Sequence, residues 1–439
     1  MCTGIKPLEI DDDRFELSKK KKDNISSTYD TADVFDKYIK ELYDDRKVTD
    51  KTNKKLFHSV YQELKAGVNE GYGQITTKVE YGTPNFEMLK NLQHNAGVFA
   101  AFKNHAMVKE ITGLLKNGEG NLKPFDQFKA DAKKIDAQYR DSWLKTEYDT
   151  AVRTSRMAAQ WDRIQRTKHL YPNLEYLQTK AAKPREEHLG YVGIIRPVDD
   201  PFWQSHYPPN GWKCQCSVRQ TDKAATDVPD GLPEVPKDFR FNAGILGQVF
   251  NLKETEYIKS VTATEMPKLI KQARTEVNAD IVKSLEYQSL YSSKKGGTVD
   301  AHPLAVNNGD FNEVLSAARS LANSGKKVKI LPDLSDTGLR SELLPVDKIR
   351  PGKNPDYLID GEVFDLKIVS TASSRAIRGA MDSARAQCDN VILQFEEDYP
   401  KSLEFVQEIV ASKMTMKEMQ GFGKVWISYK GKWQMKPVK

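Results

Sequence analysis

The segment that most limits how this chain can fold is Asn354-Pro355-Asp356-Tyr357-Leu358-Ile359-Asp360-Gly361-Glu362-Val363-Phe364-Asp365-Leu366-Lys367-Ile368. Its Asp360-Gly361 pair stands between two apolar runs rich in strand formers, the signature of a two-residue hairpin turn. In such a turn Ile359 faces Glu362, Leu358 faces Val363, Tyr357 faces Phe364, and Asp356 faces Asp365. Alternation along the strand then puts Lys367 on the face of Asp365 and sends Phe364, Leu366 and Ile368 to the opposite face, toward a core. Like charges directly opposed across a sheet destabilise it by up to about 1 kcal/mol. A compensating cation is therefore expected, and a hard divalent ion such as Mg²⁺ takes carboxylate oxygens.

A chain of 439 residues exceeds the size at which one core stops growing, so two or three domains are expected. A hydrophobic content of 39% and a charged content of 29% describe a soluble, globular protein. No apolar run approaches the ~18 residues of a membrane span. The N-terminus carries Asp11-Asp12-Asp13 and Lys19 to Lys22 with no apolar core of a signal peptide, which implies synthesis in the cytoplasm. Four cysteines in this length exclude a disulfide framework. The net charge of +6 suits a nucleic-acid partner without requiring one.

Along the chain, residues 1–30 are polar and charge-blocked and read as a mobile arm. Helical periodicity follows in Val34, Phe35, Tyr38, Ile39, Leu42 and Tyr43, and again in Leu56, Phe57, Val60, Tyr61 and Leu64. Two longer helical tracts span about 84–117 and 124–166, interrupted at Gly118-Glu119-Gly120. Near residue 174 the texture changes to short strands and turns. The run from Asp199 to Cys216 is too rich in Pro, Gly and Asn for a helix and needs side-chain packing or a metal to hold it. His188, His206, Cys214 and Cys216 supply the four ligands that a tetrahedral structural zinc takes; buried thiols and hydrogen-bonded histidines are the alternative.

Several motifs in this half carry a resemblance. Thr146 to Arg153, the Arg185-Glu186-Glu187-His188 turn, Pro197-Val198-Asp199-Asp200-Pro201-Phe202-Trp203, Pro208-Pro209-Asn210-Gly211-Trp212 and the Cys214-Gln215-Cys216 pair resemble the phage Mu F-like family of head morphogenesis proteins. Phe239-Arg240-Phe241-Asn242-Ala243-Gly244 is similar to a motif that follows in that family, with Ala243 where Pro is usual. Gln215 stands where an Arg is usual between the cysteines. The resemblance implies a head-protein domain over 31–250, portal and capsid proteins as partners, and association with a virion or prophage particle in a bacterial host.

Residues 251–297 read as a helical connector, with a helical tract from Glu265 to Leu290 and a flexible joint at Ser292-Ser293-Lys294-Lys295-Gly296-Gly297. Beyond it the order is helix, strand, hairpin, helix, strand, helix, strand, an α/β pattern. Asp310 opens the first helix as its cap, Gly325 ends it, Lys326 to Leu331 is a strand, and Ser373 or Ser374 caps the second helix.

This pattern resembles the PD-(D/E)xK nuclease superfamily, and within it the C-terminal tRNase domain of contact-dependent inhibition toxins. Gly325-Lys326-Lys327-Val328 and Pro355 to Asp365 carry the closer likeness. The fold class expected is therefore multidomain: a mostly α N-terminal head-protein domain with a small turn-rich β part, then a restriction-endonuclease-like α/β domain over 298–439. The resemblance implies metal-assisted phosphodiester hydrolysis, with Asp356, Asp365 and Glu313 as Mg²⁺ ligands and Lys367 as the catalytic lysine. Arg375, Arg378, Arg385 and Gln387 would contact substrate, and a cognate immunity protein would be a partner. RNA, in particular tRNA, is the expected substrate. DNA cleavage at the same site and a catalytically silent docking domain remain the alternatives.

Overall fold

The computed structural model describes residues 31–74, 83–179, 181, 183–307, 309–334 and 337–435; the arm expected at 1–30 lies outside them. The chain divides into two compact units, 1–278 and 279–439.

Long helices build the first unit: α1 (Thr31–Asp45), α2 (Asp50–Tyr72), α3 (Pro84–Gly113), α4 (Phe125–Ala137) and α5 (Leu144–Thr167). The periodic residues Phe35, Tyr38, Ile39 and Leu42 on α1 and Leu56, Val60, Tyr61 and Leu64 on α2 are buried. Pro84 fills the first turn of α3, where its missing N–H costs nothing. The Thr83 hydroxyl accepts from the Phe86 N–H at 3.3 Å, so sequence alone fixes where this helix begins. A π-helical turn, Gln138–Trp143, joins α4 to α5. Gly71 lets α2 approach α5 closely, since a Cβ there would lie 2.0 Å from the Val152 carbonyl oxygen. The turn-rich part adds β1 (Asn173–Leu177), β2 (Ile195–Pro197) and β3 (Ser217–Thr221) in the antiparallel order β2-β1-β3, with the short helices α6 (Glu186–Leu189), α7 (Phe202–His206) and α8 (Ala243–Leu246). Its core is aromatic, with Trp203, Tyr176, Tyr191 and Tyr207 buried together.

Helix α9 (Met266–Ser284) ends earlier than its expected limit at Leu290. Residues Gln288–Ser292 form β4, which pairs antiparallel with β5 (Thr298–Ala301). The segment 292–297 is therefore a hairpin turn rather than a flexible joint: the Ser293 N–H donates to Gly297 O at 2.8 Å, and the Ser293 hydroxyl to Ala322 O at 2.6 Å. The reason is packing, since Leu290 and Tyr291 lie against the core of the second unit and outweigh the local flexibility of Gly296-Gly297.

The remaining elements are α10 (Phe311–Asn323), β6 (Lys327–Ile330), α11 (Thr337–Leu343), β7 (Tyr357–Ile359), β8 (Glu362–Ile368), α12 (Ser374–Arg385), β9 (Val391–Phe395), α13 (Leu403–Met414), β10 (Val425–Tyr429) and β11 (Lys432–Gln434). The α/β order expected from the sequence is present, with α11, β11 and the β4–β5 hairpin as additions. One sheet runs β11-β10-β9-β8-β7-β6-β5-β4, with β5–β6, β8–β9 and β9–β10 parallel. Phe364, Leu366 and Ile392 face α10 in one core; Val391 and Leu393 face α12 and α13 in another. Ile368, expected in the core, is 42% exposed, because β8 runs past the apolar layer at its last residue.

Candidate active site

The hairpin forms with the register its sequence dictates. Tyr357 pairs with Phe364, Leu358 with Val363 and Ile359 with Glu362. Asp360 and Gly361 take φ of +48° and +87°, the left-handed pair that a type I′ turn requires. The Asp360 carboxylate also accepts from Lys326 Nζ at 2.9 Å and from the Lys327 N–H at 3.2 Å, tying the turn to β6. The strained residue is thus held by contacts on a neighbouring strand.

This register brings Asp356 and Asp365 together at the open end of the hairpin. Asp356 Oδ2 accepts from the Leu366 N–H at 2.6 Å, and its main-chain oxygen accepts from the Leu331 N–H at 2.9 Å. Asp365 is 2% exposed and pairs with Lys367 Nζ at 2.6 Å. Burial, and after it the Asp365 charge, pushes the Asp356 carboxyl up to about 7, against the pull of the Leu366 N–H and Lys367. Burial raises Asp365 to about 6, with Lys367 opposing. A charge on Asp310 raises both further.

Asp310 is the acid that sequence reasoning assigned to another task. It precedes α10, yet its side chain makes no capping hydrogen bond, and its backbone at φ −100°, ψ 10° is not the extended conformation of a side-chain cap. Instead it lines a cleft of about 540 Å³ together with Asp333, Asn354 and Asp356. Glu313, the expected helix-borne ligand, is exposed on the first turn of α10 and is not among the charges acting on Asp356 or Asp365. The signal that could have singled out Asp310 is its position at the mouth of an apolar helix, one turn before Val314, whose carbonyl accepts the buried Tyr357 hydroxyl at 2.7 Å. Beside the cleft, the buried Arg340 donates to Leu334 O at 2.7 Å and to Asn354 Oδ1 and Lys353 O. It fixes the backbone that leads into Asp356.

Asp365 and Lys367 share their sheet face with Val391 and Leu393, against which α12 packs. That helix begins at Ser373, whose hydroxyl accepts from the Ala376 N–H at 3.1 Å. Arg375 is exposed, and Arg378 donates to Ser412 Oγ at 3.4 Å while its buried Nε has no partner. Arg385 is half-buried. Gln387 follows the helix with a buried, unpartnered Oε1.

The four residues expected to bind zinc do not converge as a set. His188, Cys214 and Cys216 do, with their ligand atoms all within 4.8 Å of one another. His206 does not: its ring stacks on Phe202 at 4.3 Å and its Nδ1 pairs with Ser205 Oγ at 2.9 Å. Its place on α7, beside Phe202, decides this.

Residues 106–219 match the family model for Phage Mu protein F like protein, and residues 353–432 match that for the contact-dependent growth inhibition CdiA C-terminal domain. The chain resembles Mu F in one segment and the CdiA C-terminal domain in another. The first match holds His188, Cys214 and Cys216; the second holds Asp356, Asp365, Lys367 and the α12 arginines. The putative capsid assembly protein F of Escherichia phage Mu is 38% identical over 81 residues, 18% of each chain. The Mu-like prophage FluMu F protein of Haemophilus influenzae is 34% identical over 82 residues, 19% of each. The chain thus spans about a fifth of the length of these curated relatives. A CdiA-CT/CdiI toxin and immunity complex from Burkholderia pseudomallei is 23% identical, covering 30% of this chain and 87% of that one, with a TM-score of 0.22. No helix among the described residues is long and apolar enough to cross a membrane.

Proposed function

We propose that the second unit is a metal-dependent nuclease that hydrolyses RNA phosphodiester bonds, with tRNA as its substrate, attached to a phage or prophage head-protein segment. The observation that carries this reading is the charge imbalance at the hairpin mouth. Asp310 adds its charge to that of Asp356 and Asp365, and among the described residues Lys367 is the one cation acting on that pair, so full ionisation needs a further cation. The donors are all carboxylate oxygens, the set that Mg²⁺ selects. Asp356 and Asp365 would hold the ion with Asp310 supporting it, in place of Glu313. Bound there, a divalent ion supplies Lewis-acid polarisation of a phosphate oxygen and lowers the pKa of a coordinated water.

The chain's own groups have separable tasks. The hairpin register holds Asp356 against Asp365, and the Leu366 N–H orients Asp356. Lys367, a quarter exposed, can turn its ammonium toward negative charge developing on a phosphate. Arg375 and Arg385 on α12 can contact the substrate backbone. A nuclease of this kind implies a cognate immunity protein to protect the producing cell. The Mu F-like segment supports capsid or portal partners and a particle-associated location.

The test is incubation of the full chain with total tRNA and with plasmid DNA, in Mg²⁺ and in EDTA. Mg²⁺-dependent tRNA cleavage that disappears in Asp365→Ala and Lys367→Ala is expected. Cleavage surviving both substitutions rejects the site, plasmid cleavage alone transfers the reading to DNA, and no cleavage of either substrate favours a docking domain.

A further inference from the structure

Between α6 and β3, far in sequence from the carboxylates, two thiols and an imidazole meet in the aromatic core of the first unit. His188 Nδ1 lies 3.6 Å from Cys214 Sγ and 3.5 Å from Cys216 Sγ. All three residues are buried. A single imidazole nitrogen has one lone pair, so it can accept a hydrogen bond from only one of the two thiols. A hydrogen-bonded trio therefore joins only one thiol to the ring and leaves the second to bond the first sulfur.

Zinc satisfies all three at once. With Zn–S of about 2.3 Å and Zn–N of about 2.0–2.1 Å, a tetrahedral ion separates its sulfur and nitrogen ligands by about 3.5–3.6 Å. Both observed distances fall there. We propose that His188, Cys214 and Cys216 bind a zinc ion through Nδ1 and two thiolates.

The surroundings of Cys214 suit a thiolate: the Cys216 N–H donates to Cys214 Sγ at 3.4 Å. Such outer contacts orient ligands and tune a metal site. The fourth coordination position belongs to water. Among the described residues no other His, Cys, Asp or Glu joins the group, and His206 is committed to Phe202 and Ser205. In the same segment Asn210 keeps a buried Nδ2 with no partner, while its Oδ1 accepts from Tyr176 at 2.6 Å, so a metal-bound water within its reach would give it an acceptor. The ion staples α6 to the start of β3 across a segment with little regular structure, so it stabilises the fold of 185–221.

The experiment is metal analysis of the full chain purified without chelator, alongside Cys214→Ser, Cys216→Ser, His188→Ala and His206→Ala. One zinc per chain is expected in the parent and in His206→Ala, falling at least about tenfold in the other three. A chelator should expose two further reactive thiols and lower the melting temperature of the first unit. Should the ligand variants fail to fold, Co²⁺ added to the chelated parent must produce thiolate-to-cobalt charge-transfer bands. Zinc absent from the parent with no Co²⁺–thiolate bands, zinc retained in Cys214→Ser or Cys216→Ser, or zinc lost in His206→Ala each overturns the assignment. All these readouts are independent of nuclease activity.

Discussion

Each unit sets a lysine against a buried carboxylate, and the two arrangements differ in their charge count. In the first, Lys103 on α3 pairs with Glu147 on α5 at 2.7 Å, both nearly inaccessible. The Tyr257 hydroxyl donates to the other carboxylate oxygen at 2.6 Å, and the Tyr139, Trp143 and Tyr257 rings surround the ammonium. One cation meets one anion, and each carboxylate oxygen accepts a hydrogen bond. In the second unit, Lys367 pairs with Asp365 while Asp356 and Asp310 add negative charge without a matching cation. A neutral, saturated cluster holds a fold together. A cluster with surplus charge is destabilising in isolation and so has capacity for an outside ion.

Breaking one partner of the saturated pair should have the largest effect. Lys103→Ala strands the Glu147 charge and should cost the first unit about 3–5 kcal/mol, whereas a Lys103→Met/Glu147→Leu double variant should unfold close to the parent in a urea titration. A comparable loss from the double variant would mean that the pair is not balanced as described.

The matching break in the second unit should separate stability from activity. Asp365→Asn removes the charge facing Asp356 and should lower tRNA cleavage by about 10³-fold, roughly 4 kcal/mol of transition-state stabilisation. The same change should leave the metal-free protein as stable as the parent or more stable by up to about 1 kcal/mol. A large loss of stability would put this pair in the same class as Lys103–Glu147.

Proton linkage sharpens the contrast further. The Asp356 and Asp365 carboxyls are raised to about 7 and 6 in the fold, so the native state holds protons that the unfolded chain releases near pH 4. Their contribution to stability is present below about pH 4 and is lost as pH rises toward 7. In EDTA the melting temperature of the second unit should therefore fall over that window. Mg²⁺ at about 100 times its Kd should restore about 2.7 kcal/mol at pH 7.5, and much less at pH 5, where protons compete. An equal Mg²⁺ effect at both pH values would break the assignment of the ion to these carboxylates.

The smallest expected effect distinguishes the two acids of α10. Asp310→Asn should reduce cleavage about 10–100-fold, while Glu313→Gln should stay within about twofold of the parent, as expected for an exposed surface charge. The reverse order would restore Glu313 to the site.

Much of the hairpin was legible because its determinants are local. Asp360-Gly361 specifies the turn, the turn specifies the register, and the register places Asp356 against Asp365. The helical periodicities of α1 and α2 were legible for the same reason. Asp310 was not, because three residues before a Glu it reads as half of a capping box, and only the cleft it shares with Asp356 shows that its charge acts there instead. His206 was misplaced by the opposite error: its residue type suits zinc, but stacking on Phe202 draws it away.

Sequence by itself therefore determined the two-part architecture, the long N-terminal helices and the strand register that opposes two acids. These follow from turn chemistry and periodicity acting over a few residues. Tertiary structure alone decided which third acid joins the pair, which three of four candidate zinc ligands meet, and that Lys103 is neutralised by Glu147. Burial and Coulomb interactions sum over groups far apart in the chain, and no local pattern encodes which of them the fold brings within a few ångströms.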